Sequence, residues 1–170
     1  LCCSTARQAG YRAGGLDGGP GADTVQGGEG NDTLIAGLGL GNDSLDGDQG
    51  ADVLRFVGTA VGDLLTISAA GLRFHVNGST QMIDAGGVEQ LDLSSGAGND
   101  SITVEDLTGV ADLTSIVISS GAGSDVVDAS ALWAGVLTLS VDGGTESDLI
   151  WGGAGDDSLT GNSGNDTLFG

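Results

Sequence analysis

Residues 18–37 read GGPGADTVQGGEGNDTLIAG. Two nine-residue phrases stand back to back, Gly18–Gln26 and Gly27–Ile35, each of the form Gly-Gly-x-Gly-x-Asp-x-apolar-x. Glycines this dense do not belong inside a helix or strand, so positions 1 to 6 read as a tight turn. Positions 7 to 9 read as a three-residue strand. Side chains alternate along a strand, so the apolar residue at position 8 points inward, away from positions 7 and 9. Turn, strand, turn, strand closes one flattened coil of two repeats, and coils stack through parallel strands. The expected fold is all-β, a parallel β-roll or β-helix solenoid.

The phrase recurs along the chain. After an inserted Ala36 and Gly37 come Leu38–Asp46 and Gly47–Arg55. A second cluster holds Gly143–Trp151, Gly152–Thr160 and Gly161–Phe169, and two lone copies stand between, Ser95–Thr103 and Ser120–Asp128. Position 8 is Val25, Leu34, Leu45, Leu54, Ile102, Val127, Ile150, Leu159 and Leu168 in turn. Asn31, Asn42, Asn99 and Asn165 stand at position 5, where asparagine tolerates left-handed backbone angles. Some copies depart from the pattern: Asp48 and Asn162 replace the glycine at position 2, and Glu146 replaces the one at position 4.

In a two-repeat coil, position 6 lies beside position 6 two repeats later. Asp23 then stacks on Asp43, Asp32 on Asp52, and Asp148 on Asp166, with Asp157 across the coil. Carboxylates one strand spacing apart, ~4.8 Å, repel unless a cation lies between them. The donors on offer are carboxylate oxygens and glycine-exposed carbonyls, all hard and numerous, on a flexible loop. That set suits calcium, which takes six to eight oxygens, better than magnesium, which demands rigid octahedral geometry. Zinc prefers nitrogen and sulfur, and the chain has one histidine. One buried side chain per nine residues does not offset the cost of ordering them, so bound ions are expected to complete the fold.

The composition agrees. Twenty-four acids face four bases, for a formal net charge of -20; no basic patch exists to hold nucleic acid, and cations are the natural partners. Cys2 and Cys3 lie outside every repeat and receive no role, so nothing is stapled by disulfides. No apolar run is long enough for a membrane span. There is no signal-peptide pattern, and Gly170 would open another nonapeptide, so a fragment of a longer protein is expected.

Between the clusters, Asp63–Ser68, Leu72–Asn77, Thr80–Ile83 and Val88–Leu93 alternate or run apolar over strand lengths, with Asn77-Gly78 as a turn signal. Asp100, Asp125 and Asp148 recur at a whole-coil spacing, which predicts an acidic turn on one side of each coil and a longer loop on the other. The divisions expected are an unassigned segment 1–15, a first roll 16–55, a strand-rich spacer 56–94 continuing the solenoid, coils with isolated acidic turns over 95–142, and a truncated roll 143–170.

Gly-Gly-x-Gly-x-Asp-x-apolar-x resembles the repeat of the RTX, or haemolysin-type calcium-binding, proteins, and Gly18–Gln26, Gly27–Ile35 and Gly152–Thr160 match it at every defined position. The resemblance implies a parallel β-roll with several calcium ions in its turns. Carried over by position, the ligand aspartates are Asp23, Asp32, Asp43, Asp52, Asp100, Asp125, Asp148, Asp157 and Asp166. The backbone carbonyls it implies belong to Gly18, Gly19, Gly21, Gly27, Gly28, Gly30, Gly152, Gly153, Gly155, Gly161 and Gly164. It also implies export to the cell exterior or surface, often by type I secretion, with folding where calcium is plentiful.

Other readings stay open. An acidic turn can be closed by its own side chain without metal. The spacer or its loops could serve adhesion or another interaction, or the chain could be the non-catalytic tail of a secreted hydrolase. His75 shares an alternating run with Phe74 and Val76 and reads as a surface strand position; Trp133 and Trp151 read as packing residues. No catalytic motif is present, and any catalytic domain is expected outside these residues.

Overall fold

A computed structural model describes residues 7–8, 15–133, 135 and 137–170. Cys2 and Cys3 lie outside the described residues, as does most of segment 1–15. In chain order the strands are β1 (Arg7–Gln8), β2 (Gly15–Asp17), β3 (Thr24–Glu29), β4 (Thr33–Gly37), β5 (Ser44–Gln49), β6 (Val53–Val57), β7 (Leu64–Ala70), β8 (Arg73–Asn77), β9 (Met82–Gly86), β10 (Gln90–Ser94), β11 (Ser101–Val104), β12 (Ser115–Ser119), β13 (Val126–Asp128), β14 (Thr138–Asp142), β15 (Leu149–Trp151), β16 (Ser158–Thr160) and β17 (Thr167–Phe169).

They form two sheets, β1-β3-β5-β9-β8-β7-β11-β13-β15-β17 and β2-β4-β6-β10-β12-β14-β16. Outside β7–β9 the chain alternates between the sheets, and neighbours pair in parallel. This is the all-β solenoid that the nonapeptide spacing predicts. No helix among the described residues is long and apolar enough to cross a membrane.

The core is a stack of like positions. Leu34, Leu54, Leu91, Ile116 and Leu139 lie side by side in the second sheet. Leu65, Ile102, Val127, Ile150 and Leu168 do so in the first. All but Leu168, which is 39% exposed, are buried. The stacking also explains the glycines. At Gly41 (φ +134) and Gly121 (φ +99), a Cβ would fall on the carbonyl oxygen of Gly21 and Gly96 in the preceding coil. A side chain there would meet backbone, which cannot move aside without opening the strand spacing. The departures from the pattern keep its backbone: Asp48, Glu146 and Asn162 take φ of 66°, 73° and 64°.

Segment 56–94 adds a feature absent from the repeats. β6 and β10 are neighbours in the second sheet, yet three strands of the first sheet separate β5 from β11. β7 and β8 pair antiparallel, as do β8 and β9. Gly71, at φ +72, opens the two-residue turn between β7 and β8, and Gly78 N–H donates to Gln81 O (2.8 Å) to close the next. β9 then pairs in parallel with β5, and β7 with β11. His75 lies half-buried on the outer face of β8, with Nε2 3.4 Å from Asp84 Oδ1.

Arg73 ties this hairpin to the first roll. From β8 it crosses β9 and reaches β5: Nη1 donates to Asp46 (2.6 Å), Nη2 to Leu45 O (2.8 Å) and Nε to Asp84 (3.0 Å). The crossing requires Gly86, where a Cβ would stand 2.5 Å from Arg73 Nη1. The two tryptophans differ from each other. Trp151 stacks on Phe169 with centroids 5.6 Å apart, whereas Trp133, read as a packing residue, is 78% exposed.

Gly86→Ala should therefore destabilise the chain by about 1–3 kcal/mol through overpacking, and the loss should shrink below about 0.5 kcal/mol in an Arg73→Ala background, by the logic of a double-mutant cycle. Denaturant melts at fixed calcium measure both; equal losses in the two backgrounds would show that Gly86 serves something other than the passage of Arg73.

Candidate metal centre

Each coil has two edges. On the first edge the chain passes from the second sheet to the first through turns 18–23, 38–43, 58–63, 95–100, 120–125, 143–148 and 161–166. On the second edge it returns through turns 27–32, 47–52 and 152–157, a short connection before β10, and longer ones before β12 and β14. Every position-6 aspartate thus stands at a sheet edge, just before its strand.

The carboxylates form ladders with one repeating bond. In these the backbone N–H of one aspartate donates to Oδ1 of the aspartate in the next coil. On the first edge, Asp23 donates to Asp43 (3.0 Å), and separately Asp100 to Asp125 (2.8 Å), Asp125 to Asp148 (2.9 Å) and Asp148 to Asp166 (3.0 Å). On the second edge, Asp32 donates to Asp52 (2.7 Å). Asp157 lies on the second edge and joins none of these ladders.

In Asp52, Asp100, Asp125 and Asp148 one oxygen is used in this way and the other is not. Oδ2 of Asp32, Asp52, Asp100, Asp125, Asp148 and Asp157 is buried without a hydrogen-bond partner. A buried charged oxygen without a partner costs several kcal/mol in general, and six of them in stacked turns mark where a positive group belongs. Arg55 and Arg73 do not supply it: Arg73 is engaged with Asp46 and Asp84, and Arg55 lies 3.5 Å from Asp92 on the surface. Position-1 glycines make room for the same oxygens. A Cβ at Gly27 would stand 3.0 Å from Asp32 Oδ2, and one at Gly152 would stand 2.6 Å from Asp157 Oδ2. Gly19, Gly21, Gly28, Gly30, Gly153, Gly155 and Gly164 carry the positive φ that bends the turn.

Among the described residues no three histidine, cysteine or acidic side chains converge as a metal cluster. The carboxylates are strung out one per turn, so an ion between coils would complete its shell from backbone carbonyls. That is a hard, flexible, all-oxygen donor set, and it fits calcium.

Two acidic positions escaped the sequence reading. Asp63 opens β7 and donates its N–H to Asp100 Oδ1 (2.7 Å), extending that ladder by one coil. Its turn, GTAVGD, keeps Gly at 1 and Asp at 6, with Leu65 at 8, but has lost the glycines at 2 and 4. Thr59 compensates: its N–H donates to Asp63 Oδ2 (2.7 Å) and its Oγ1 to Oδ1 (2.8 Å). Glu89 stands where an aspartate would continue the second-edge ladder, and its Oε2 accepts from Asp52 N–H (2.6 Å). An acid two residues before a buried leucine was the signal in both.

Farther along the second edge, apolar side chains replace acids. Leu107, Leu113 and Leu132 are buried there beside a cavity of about 310 Å³ that Trp133 and Leu137 also line.

Burial raises some of the turn carboxyls. It pushes Asp125 up to about 6, against the hydrogen bond from Asp100 N–H and with the charges of Asp100, Asp148 and Glu146. Burial likewise raises Asp43, Asp52, Asp148 and Asp157.

The RTX calcium-binding nonapeptide repeat matches residues 17–54 and 141–170, in four copies. No curated protein and no solved structure matches the chain.

A raised carboxyl binds its proton more tightly in the folded state than in the unfolded one. For Asp125 the stabilisation is fully present below the unfolded value of 3.8 and is lost as pH rises through about 6. The chelator-treated chain should therefore melt at a lower temperature at pH 7.5 than at pH 5, at ~0.5 M salt where exposed charges are screened, and Asp125→Asn should flatten the dependence. A midpoint that rises with pH would show that the ladder carboxyls do not govern stability.

Proposed function

We propose, for a chain that carries RTX calcium-binding nonapeptide repeats in residues 17–54 and 141–170, that its turns take up calcium between successive coils and that this uptake completes the fold. The ligand carboxylates in this reading are Asp23, Asp32, Asp43, Asp52, Asp100, Asp125, Asp148, Asp157 and Asp166. Carbonyls of the turn glycines, Gly18, Gly19, Gly21, Gly27, Gly28, Gly30, Gly152, Gly153, Gly155, Gly161 and Gly164, fill the rest of each shell. The observation that carries the reading is the set of buried, unpartnered Oδ2 atoms. A divalent ion supplies what they lack, and metal uptake by a site absent from the unfolded chain is folding energy.

The ligands fall into two arrays. One comprises Asp23 with Asp43 and Asp32 with Asp52, in the roll 16–55. The other runs from Asp100 to Asp166, over the coils 95–142 and the roll 143–170, with Asp157 opposite. On the first edge the antiparallel strands β7–β9 separate them. The module is non-catalytic in this reading; it works as a calcium-dependent segment of a secreted or surface protein, unfolded where calcium is scarce and folded outside the cell. The repeat pattern and the charge of -20 support export to a calcium-rich medium.

Far-UV circular dichroism of the chelated chain, titrated with calcium and separately with magnesium, tests the reading. Calcium at millimolar or lower concentration should raise the β signal and magnesium should not; a spectrum indifferent to chelator and calcium would sink it. Asp32→Ala should weaken calcium uptake at least about tenfold at its site, the worth of one contact to a charged partner. Asp17→Ala should weaken uptake far less, because Asp17 is not among the ligands: its Oδ1 accepts from Gly19 N–H (2.8 Å) in an exposed turn, and its charge reaches Asp43 only from a distance. Calorimetric titration compares the two variants.

A further inference from the structure

The two lone copies place a serine where the tandem repeats place a glycine: Ser95 and Ser120 stand at position 1 of their turns. Both are fully buried. Their hydroxyls differ in fate. Ser95 Oγ donates to Ser120 O (2.9 Å), whereas Ser120 Oγ, in the equivalent place one coil on, is buried without a hydrogen-bond partner. A buried hydroxyl left without any bond is costly and calls for a ligand.

Its surroundings say which one. Ser120 N–H donates to Asp142 O (2.9 Å), which sets Ser120 beside Gly143 in the next coil. In the same two coils Asp125 N–H donates to Asp148 Oδ1, and Oδ2 of both Asp125 and Asp148 is buried and unpartnered. In the tandem turns a Cβ at position 1 would lie against the turn's own aspartate, at 2.6 Å from Oδ2 for Gly47 and Asp52. At a serine, the same placement directs the Cβ toward the turn's own carboxylate. Turns 120–125 and 143–148, one coil apart, thus contribute three buried oxygens without partners, two of carboxylates and one of a hydroxyl. Asp125 is 2% exposed and Asp148 3%.

We propose that Ser120 Oγ, Asp125 and Asp148 hold one divalent cation between these coils, with Ser120 as a side-chain ligand that the glycine turns lack. The donor set is hard and all oxygen, with carbonyls of the two turns to complete it, so the ion is calcium. Ser120 lies outside the segments that match the nonapeptide repeat, and the site extends the array by a coil of different composition. Glycine turns use carboxylate and backbone alone; here a hydroxyl takes part. The inference rests on the calcium reading above.

Calcium titration calorimetry of the full, chelator-stripped chain tests it, beside terbium luminescence as a second readout. Ser120→Ala and Ser120→Gly should each weaken one ion's binding about tenfold, the worth of one polar contact to a charged partner, and leave the other ions in place. Ser120→Gly restores the repeat's own residue and so tests the loss without disturbing the turn. Ser95→Ala, whose hydroxyl is already bonded, should leave every ion's affinity unchanged. Unaltered calcium binding in both Ser120 variants would overturn the inference alone. No calcium binding by the parent chain would overturn the calcium reading and this site with it. An equal loss in Ser95→Ala would also overturn it, by showing that both serines act only through packing.

Discussion

The bond on which the structure depends is the one from an aspartate's backbone N–H to Oδ1 of the aspartate one coil away. It satisfies a turn amide that would otherwise be buried without a partner, and it fixes the register between coils. It also binds each carboxylate in place, half used. Asp100, Asp125 and Asp148 each accept at one oxygen and bury the other. The same contact that stacks the coils therefore builds the unmet demand for positive charge. Glycine at position 1 follows from that geometry, since the carboxylate lies where a Cβ would be. The nine-residue pattern is the smallest phrase that holds turn, ligand and core residue together.

Two resources stabilise the coils, and they trade places along the chain. Toward the C-terminus β13, β15, β16 and β17 are three residues long and carry a single inward position each. In the middle, β10, β12 and β14 are five residues long and bury two side chains each: Leu91 and Leu93, Ile116 and Ile118, Leu139 and Val141. Each extra buried side chain is worth about 1.5–3 kcal/mol. Beyond Glu89 the second-edge ladder stops, and before β12 and β14 Leu107, Leu113 and Leu132 close that edge. The first edge keeps its aspartates throughout them. Apolar burial thus replaces acidic turns on one edge while the other stays acidic.

The fold was legible because its period is strict. Position 8 names the core from Val25 to Ile150, and position 6 names the ladder from Asp23 to Asp166. Asp63 and Glu89 were illegible because the glycines around them are gone; Thr59 and a longer acidic side chain do the same work by other means. The path of 56–94 was harder still. Alternation marks strands but carries no direction, so nothing in LRFHVN says that β8 runs against its neighbours. Trp133 misled for a related reason: an aromatic residue in a loop announces apolar surface, and only the fold decides whether anything covers it.

The antiparallel strands show what the ladder cannot tolerate. Next to Asp43 the ladder breaks: β9 follows β5 in the sheet, and Ile83 stands where an aspartate would stand, while Asp84 N–H donates to Asp43 O (2.9 Å) as position 7 does in the other coils. Charge does not vanish at this seam; it moves to the outer face, where Asp46 and Asp84 share Arg73. A guanidinium is permanent and directional, whereas a bound ion comes and goes with its concentration. The junction between the first roll and the hairpin is therefore held by covalent chain and fixed charge. The coils on either side bury carboxylate oxygens with no fixed cation beside them, and in the calcium reading they are the ones that respond to the medium.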